Sequence, residues 1–198
     1  MASAVTIRSA TRRDAADLVV LEDMASLGMA NRILRRFLHT TDAQTAFEFG
    51  RQRVLDETVA TNFRNALIAE IDGEVAGASI SHVLNHDPSA DPSAAPVPEL
   101  VPLSQLKHPL DRTWYIDTVA VYREQRGHGI AGQLIAHEMQ RCRDNGYKTL
   151  ALTAEDGNEN AVRLYHHLGF EIVDRRGFIA MEDIPSTSKN WLLMARAV

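Results

Sequence analysis

The stretch that decides the fold is Trp114-Tyr115-Ile116-Asp117-Thr118-Val119-Ala120-Val121, followed by Arg126-Gly127-His128-Gly129-Ile130-Ala131 and a helical run over residues 132–145. The first segment is apolar enough for a buried strand, and the second places two glycines beside an arginine just before a helix. Glycine leaves backbone N–H groups uncovered, and the positive end of a helix dipole attracts phosphate oxygens. The stretch therefore predicts a strand, a diphosphate-binding turn and a helix.

The glycines of this turn also have a simpler explanation. A strand-to-helix turn often contains glycine only because its backbone conformation requires it. A Walker A loop is excluded because no Gly-Lys-Ser/Thr ending is present. The dinucleotide pattern G-x-G-x-x-G fails because Gly127, Gly129 and Gly132 lead into no acidic ribose partner at the expected distance. Phosphate binding and backbone geometry both stay open on the turn alone.

A second motif follows at Asn158-Glu159-Asn160-Ala161-Val162-Arg163-Leu164-Tyr165-His166-His167-Leu168-Gly169-Phe170. Arg126-x-x-Gly129-x-Ala131 matches the Arg/Gln-x-x-Gly-x-Gly/Ala acetyl-CoA motif. The second cluster is similar, through Asn158, Ala161, Tyr165 and Gly169-Phe170, to the companion motif of the GNAT-superfamily N-acetyltransferases. Because both motifs stand in the order of that family, the chain resembles it over residues 114–170.

The resemblance implies how acetyl-CoA would bind. In this family the fourth and fifth strands splay apart, and the pantetheine arm lies in the opening like another strand. The implied acetyl-CoA contacts are Val119, Ala120 and Val121 on the strand, then Arg126, Gly127, His128, Gly129, Ile130, Ala131 and Gly132 in the turn, and Asn158 and Tyr165 on the last helix. His128 also fits a solvent-facing turn residue, and Asn158 fits a simple helix N-cap, a role for which Asn160 competes.

The resemblance also assigns the chemistry. Tyr165 would assist the departure of the CoA thiolate, although its place in the apolar stripe of its helix also fits a packing role. A free phenol has a pKa of about 10 and a thiol about 8.5, so the hydroxyl would act during bond breaking or as a hydrogen-bond donor. Asp117 is the predicted general base, Glu155 the alternate and ordered water a third possibility. Asp117 also fits a hydrogen-bonded strand carboxylate.

The composition limits the class of protein and its partners. The 198 residues include 45% hydrophobic and 24% charged residues, as in an ordinary globular domain, and the net charge of −5 argues against nucleic acid as a partner. The single cysteine, Cys142, can form no internal disulfide and is expected to be buried. The first 13 residues contain no apolar core of a signal peptide and no segment has the length of a membrane span, which predicts a cytoplasmic protein. No metal is expected, because one cysteine cannot supply a zinc site and His82 and His86 have no third ligand at a recognisable spacing.

The remaining elements follow from local patterns. Thr11 and Asp14 suit a capping box before a first helix that carries Leu18, Leu21 and Met29, and a second helical stretch covers residues 42–61. Residues 31–39 are predicted to be a mobile wall or a helix extension. The predicted strands are residues 5–9, 66–71, 74–81, 113–121, 147–153, 170–175 and 191–197, with a hairpin at Asp72-Gly73.

Six prolines fall within residues 85–111, a density that predicts a long inserted loop with neither strand nor helix. We therefore expect a single α/β (α+β) domain over residues 1–198, with a mixed twisted sheet of about seven strands and about four helices. The expected function is acetyl-CoA-dependent N-acetylation of a small-molecule or peptide amine. The alternative is a non-catalytic CoA or acyl-CoA sensor, and the fold is compatible with a homodimer.

Overall fold

The structure is a computed structural model that describes residues 4–181, 184 and 186–198. The strands are β1 (Val5–Ser9), β2 (Ala66–Ile71), β3 (Glu74–Leu84), β4 (Thr113–Val121), β5 (Thr149–Glu155), β6 (Glu171–Gly177) and β7 (Asn190–Ala197). The helices are α1 (Ala15–Ala25), α2 (Met29–Arg36), α3 (Ala46–Leu55), α4 (Val101–Lys107), α5 (Ile130–Asp144) and α6 (Glu159–His167). The strands form one mixed sheet in the order β1-β2-β3-β4-β5-β7-β6, which confirms the predicted α/β fold class with its seven strands.

The described residues divide into two compact units. One holds the chain up to His82 together with Asp117–Glu138, and the other holds Val83–Ile116 together with Met139–Val198. The single-domain organisation expected for residues 1–198 stays a prediction. No helix among the described residues combines the length and the apolar composition that a membrane span requires.

In the first unit, β1, β2 and β3 are antiparallel neighbours. Thr11 and Asp14 form the predicted capping box before α1. Asp72 and Gly73 have φ angles of 53° and 83°, which confirms the predicted hairpin turn. The buried side chains between α1 and the sheet are mainly aliphatic and include Leu18, Leu21, Ile68, Ile80 and Ala120.

The helices of this unit differ from their predicted bounds. The first helix ends at Ala25, short of Met29, because Leu27 and Gly28 adopt left-handed conformations with φ angles of 53° and 91°. The chain then forms α2 as a separate helix, so residues 31–39 are not an extension of α1, and their role as a mobile wall stays a prediction. The stretch predicted over residues 42–61 is helical only in α3, which begins after the Thr45 cap and ends before the extended residue Asp56.

In the second unit, β4 pairs in parallel with β5 through Trp114–Ile116 and Leu150–Leu152. β5 pairs antiparallel with β7, which pairs antiparallel with β6. The splay of β4 from β5 stays a prediction. Cys142 is fully buried, which confirms its expected packing position.

The expectation that residues 85–111 contain no helix is wrong. A short 3-10 helix covers Pro98–Leu100, and α4 follows directly. Pro98 and Pro102 stand in the first turns of these helices, where the missing N–H has no intrahelical acceptor and costs nothing. The described residues thus contain six helices where about four were expected, since α2 and α4 were not anticipated as separate elements.

Candidate active site

The glycine turn after β4 has the geometry of an anion-binding backbone. Gly127 and Gly129 have φ angles of 85° and 73°, which a residue with a side chain rarely adopts. A Cβ placed at Gly127, Gly129 or Gly132 would meet only open space, so the backbone there is exposed to a ligand. α5 begins at Ile130 rather than at residue 132, and its first N–H groups have no intrahelical partner. These observations fit the predicted diphosphate cradle.

Two side chains fix the turn to the strand before it. Arg126 Nε donates a hydrogen bond to the carbonyl oxygen of Val121 at 3.1 Å, while the residue as a whole is exposed. His128 is also exposed, and its Nδ1 lies 3.1 Å from the carbonyl oxygen of Gln125. Arg126 therefore has further N–H groups directed at solvent, whereas the contact of His128 with Gln125 already explains its presence in the turn.

The backbone of β4 is directed in a way that suits a strand-like ligand. Tyr122 N–H donates to the carbonyl oxygen of Ala76 at 2.9 Å, and a Cβ at Gly77 would lie 2.6 Å from the oxygen of Ala120. The polar groups of residues 120 and 122 thus face β3. Because successive residues of a strand point their polar groups to opposite edges, those of Val119 and Val121 point away from β3. The close approach of the β4 backbone explains why residue 77 is a glycine.

Asp117 has an acidic neighbour that the sequence did not reveal. Asp117 is half-buried on β4, and Glu22 is half-buried near the end of α1. Burial raises the pKa of Glu22 to about 7; the negative charge of Asp117 adds to this shift and the guanidinium of Arg53 opposes it. The available signal was a carboxylate directly after the buried Leu18, Val19 and Leu21 of α1.

In the second unit, Tyr165 lies half-buried on α6, with its ring centroid 6.0 Å from that of Phe170. Burial raises the pKa of its phenol to about 12, and the Tyr115 phenol contributes a smaller increase. The hydroxyls of Tyr115 and Thr153 are 2.7 Å apart. Tyr165 is therefore protonated at neutral pH and can act as a hydrogen-bond donor.

Asn158 caps α6. Its Oδ1 accepts a hydrogen bond from the Ala161 N–H at 3.3 Å, whereas the oxygen of Asn160 accepts from the Arg163 guanidinium. The capping role therefore belongs to Asn158 and not to Asn160. Because Oδ1 is used by the helix, Nδ2 is the atom of this side chain that a ligand would contact.

Glu155, the alternate base, lies at the end of β5 and is 7% exposed. Its Oε2 accepts hydrogen bonds from Ser188 Oγ at 2.8 Å and from Ser186 Oγ at 3.1 Å. These bonds hold the segment that leads into β7. They explain a buried carboxylate at this position without a role in proton transfer.

The predicted site residues thus fall into two groups. The first unit contains Asp117, Val119–Val121 and the whole turn from Arg126 to Gly132, with Glu22 added by the structure. The second unit contains Glu155, Asn158 and Tyr165.

Comparison with known proteins places this arrangement in a family. No curated protein matches the chain in sequence. Among solved structures, an N-acetyltransferase from Staphylococcus aureus Mu50 superposes with a TM-score of 0.66 at 20% identity, over 96% of this chain and 100% of that one. A ribosomal-protein-alanine N-acetyltransferase from Brucella melitensis gives a TM-score of 0.62 at 18% identity, over 98% of this chain and 99% of that one.

A third solved structure, yncA from Salmonella typhimurium, a putative acetyltransferase with its cofactor acetyl-CoA, gives a TM-score of 0.59 at 19% identity, over 98% of this chain and 94% of that one. At these identities the similarity shows the fold. The model of the acetyltransferase (GNAT) family matches residues 34–170, which is more than half of the chain and includes both motifs. The chain therefore belongs to the acetyltransferase (GNAT) family, which uses acetyl-CoA as its acetyl donor.

Proposed function

We propose that this protein transfers the acetyl group of acetyl-CoA to a primary amine by direct attack of the amine on the thioester. The observation that carries the proposal is the open glycine turn at the start of α5, in a chain whose family is one of acetyltransferases. The acceptor is a small-molecule or peptide amine. One similar structure is named as a ribosomal-protein-alanine N-acetyltransferase, which supports a peptide N-terminus as one acceptor to test.

The backbone supplies most of the proposed acetyl-CoA contacts. The turn from Arg126 to Gly132 holds the diphosphate through its N–H groups and the positive end of α5. The carbonyl of Val119 and the N–H of Val121, which point away from β3, pair with the pantetheine amides as a neighbouring strand would. Arg126 and the Nδ2 of Asn158 add side-chain contacts. Acetyl-CoA, when bound, supplies an activated acyl group.

Val119 and Tyr165 act on the bonds that change. The N–H of Val119 polarises the thioester carbonyl, as an oxyanion-hole donor does. Complete transfer of a proton from a phenol with a pKa of about 12 to a thiolate whose acid has a pKa of about 8.5 would be uphill by about 5 kcal/mol. Tyr165 therefore assists by donating a hydrogen bond to the sulfur while the carbon–sulfur bond breaks.

The acceptor must lose a proton before it attacks. Deprotonation at pH 7 costs about 4 to 5 kcal/mol for a lysine-like ammonium, and about 1 kcal/mol for an α-ammonium with a pKa near 8. A carboxylate in the region of Asp117 is the proposed acceptor of that proton, directly or through an ordered water. A cytoplasmic location and a homodimer stay predictions.

The test is thiol release from acetyl-CoA over a panel of alkylamines, polyamines and alanine-terminated peptides. We expect thiol to be released with at least one amine and an acetylated product to be found by mass spectrometry. Binding of acetyl-CoA without thiol release from any of these amines would instead support a sensor. Failure to bind acetyl-CoA would overturn the proposal.

A further inference from the structure

Helix α1 packs against the end of β4, because Leu18 and Leu21 belong to the same buried cluster as Ala120. The hydroxyl of Tyr122, just past β4, donates a hydrogen bond to the carboxylate of Asp17 in the first turn of α1 at 2.7 Å. Glu22 stands five residues after Asp17, and Asp117 stands five residues before Tyr122. The charge of Asp117 acts on Glu22, so the two carboxylates are neighbours. This packing brings the two carboxylates together within the first unit.

The charged groups around Glu22 come from three elements. Asp117 belongs to β4, Asp23 follows on α1 itself, and Arg53 belongs to α3. Asp23 has a structural use, because its Oδ1 accepts a hydrogen bond from the N–H of Asn31 at 2.8 Å. Glu22, Asp23 and the exposed Phe47 also lie around a narrow crevice that has no room for a water molecule. Glu22 is thus a half-buried carboxylate with an ionisable partner on the strand that leads into the glycine turn.

We propose that Glu22 is the general base of the acetyl transfer, and that Asp117 is the neighbouring charge that tunes it. This inference rests on the proposed function and specifies which carboxylate takes the proton. It also adds to the first unit a catalytic residue that neither sequence motif contains.

The proton balance of the step is as follows. One N–H bond of the acceptor ammonium breaks, and an O–H bond forms on the Glu22 carboxylate. The freed lone pair makes the new nitrogen–carbon bond while the carbon–sulfur bond breaks. A second amine proton passes to the sulfur, and CoA leaves as the thiol. Glu22 then releases its proton to water, so one proton is produced for each acetyl group transferred.

The environment of Glu22 suits this role. An ordinary glutamate is a weak base, whereas burial and the charge of Asp117 raise the pKa of Glu22 from 4.5 to about 7. A general base works best when its pKa lies near the working pH, because it is then both ionised in a useful fraction of molecules and basic enough. Since the ionised form is the active one, we expect activity to rise with pH through about 7.

The first test measures the titration of Glu22 without any substrate. The full chain is labelled with ¹³C at the glutamate carboxyls, and its NMR signals are followed over pH. We expect one glutamate with a midpoint near 7, absent from Glu22→Gln. Asp117→Asn should lower that midpoint, because it removes a negative charge, and Arg53→Gln should raise it, because it removes a positive one. A protein with no glutamate titrating above about pH 6 would overturn the proposal.

The second test measures kcat/KM over pH with the best amine of the panel. Glu22→Gln should lower kcat/KM at least about 100-fold. It should also remove the acid limb of the pH profile, which is the rise of kcat/KM with pH near 7. Asp117→Asn should keep the limb and move it to lower pH. The comparison variant is Asp23→Asn, which removes the adjacent charge but keeps an oxygen for the Asn31 N–H. Because the charge of Asp23 raises the pKa of Glu22 less than that of Asp117 does, this variant should move the limb to lower pH by less than Asp117→Asn.

The outcomes separate the inference from the proposed function. If Asp117→Asn abolishes transfer while Glu22→Gln keeps both rate and limb, Asp117 is the base and the inference is wrong, although the acetyltransferase function stands. If no amine of the panel yields acetylated product, the proposed function fails, and the base role fails with it, whatever the carboxyl titration shows.

Discussion

At the scale of the residue, the Tyr165 hydroxyl is separable from its ring. Tyr165→Phe keeps the contact with Phe170 and removes only the hydrogen-bond donor. We expect kcat to fall about 100-fold, with little change in the binding of acetyl-CoA or in the unfolding temperature. Because burial raises the pKa of this phenol to about 12, the wild-type pH profile should show no alkaline limb from Tyr165 below about pH 10.

The control for Tyr165 is another half-buried tyrosine of the same unit. Tyr147 has its ring 5.7 Å from that of Trp114 and belongs to neither motif. Tyr147→Phe should leave kcat within about twofold of the wild-type value. Equal rates for Tyr165→Phe and the wild type would show that Tyr165 only packs against its neighbours and that its hydroxyl takes no part in the reaction.

The residues that sequence could identify are those whose role depends on local backbone geometry. Gly127 and Gly129 could be recognised because only glycine adopts their positive φ angles readily, and Asn158 because it begins a helix. Glu22 could not be recognised in this way. Its raised pKa depends on burial and on Asp117, a residue of a strand far along the chain, and such tertiary packing leaves little trace in the helix itself.

At the scale of the element, the start of α1 is stabilised by a buried carboxylate. Asp14 is 5% exposed and accepts hydrogen bonds from two nitrogens of the Arg8 guanidinium at 2.7 and 2.9 Å, as well as from the Thr11 N–H. Hydrogen bonding by Arg8 is the largest cause that lowers the pKa of Asp14 from 3.8 to about 2. A lowered pKa in the folded state means that the ionised form stabilises the protein above pH 3.8, and that this stabilisation is lost as the pH falls through about 2.

We therefore expect Asp14→Asn to lower the free energy of unfolding by about 2 kcal/mol at pH 7. The difference in the free energy of unfolding between wild type and Asp14→Asn should become smaller below about pH 4. Urea unfolding of both proteins from pH 7 to pH 3 measures this difference. The control is Asp56→Asn, at the exposed residue that caps the end of α3, and it should have the smaller effect. A difference that stays constant over this range would show that the charge of Asp14 is not the cause.

The contact between β3 and β4 gives a second prediction for the elements. A Cβ at Gly77 would lie 2.6 Å from the Ala120 oxygen and 3.2 Å from the Val121 Cα, and neither backbone atom can move alone. Gly77→Ala should destabilise the fold by about 1 to 3 kcal/mol. Gly177→Ala, on β6, places its Cβ in open space and should cost less. Equal unfolding midpoints in urea for the two variants would refute the close approach.

The elements that sequence predicted well are again the local ones. The hairpin at Asp72-Gly73 and the capping box at Thr11 each depend on residues within a few positions of one another. The sequence did not predict α2 and α4 as separate helices, because neither is marked by its usual local signal. An exposed leucine, Leu27, takes a left-handed conformation that breaks the helix, and Pro102 stands where a helix tolerates it.

At the scale of the whole molecule, the resemblance carried by the two motifs was enough to predict a seven-stranded mixed sheet. They did not predict that β7 lies between β5 and β6. The apolar pattern of β7 shows that both of its faces are covered, since Trp191, Leu192, Leu193 and Met194 are all buried. That pattern does not name the neighbouring strands, because each strand of a sheet can in principle pair with several others.

The stability of the whole molecule should report binding of acetyl-CoA at the turn. A ligand present at 100 times its Kd stabilises the folded state by about 2.7 kcal/mol, which for a chain of this length raises the unfolding temperature by about 5 to 10 °C. Gly129→Ala forces a side chain onto a φ of 73° and disturbs the N–H groups that we propose hold the diphosphate. We expect it to lose most of that increase.

Gly146→Ala is the matched control, because Gly146 has a φ of 75°, is surrounded by the same open space and stands after the opposite end of α5. Both variants should unfold at a lower temperature than wild type without ligand, because each strains the backbone at one residue. Only Gly146→Ala should then recover the full increase when acetyl-CoA is added. If Gly129→Ala recovers it as well, the turn is required for backbone geometry alone, and acetyl-CoA is held by other residues.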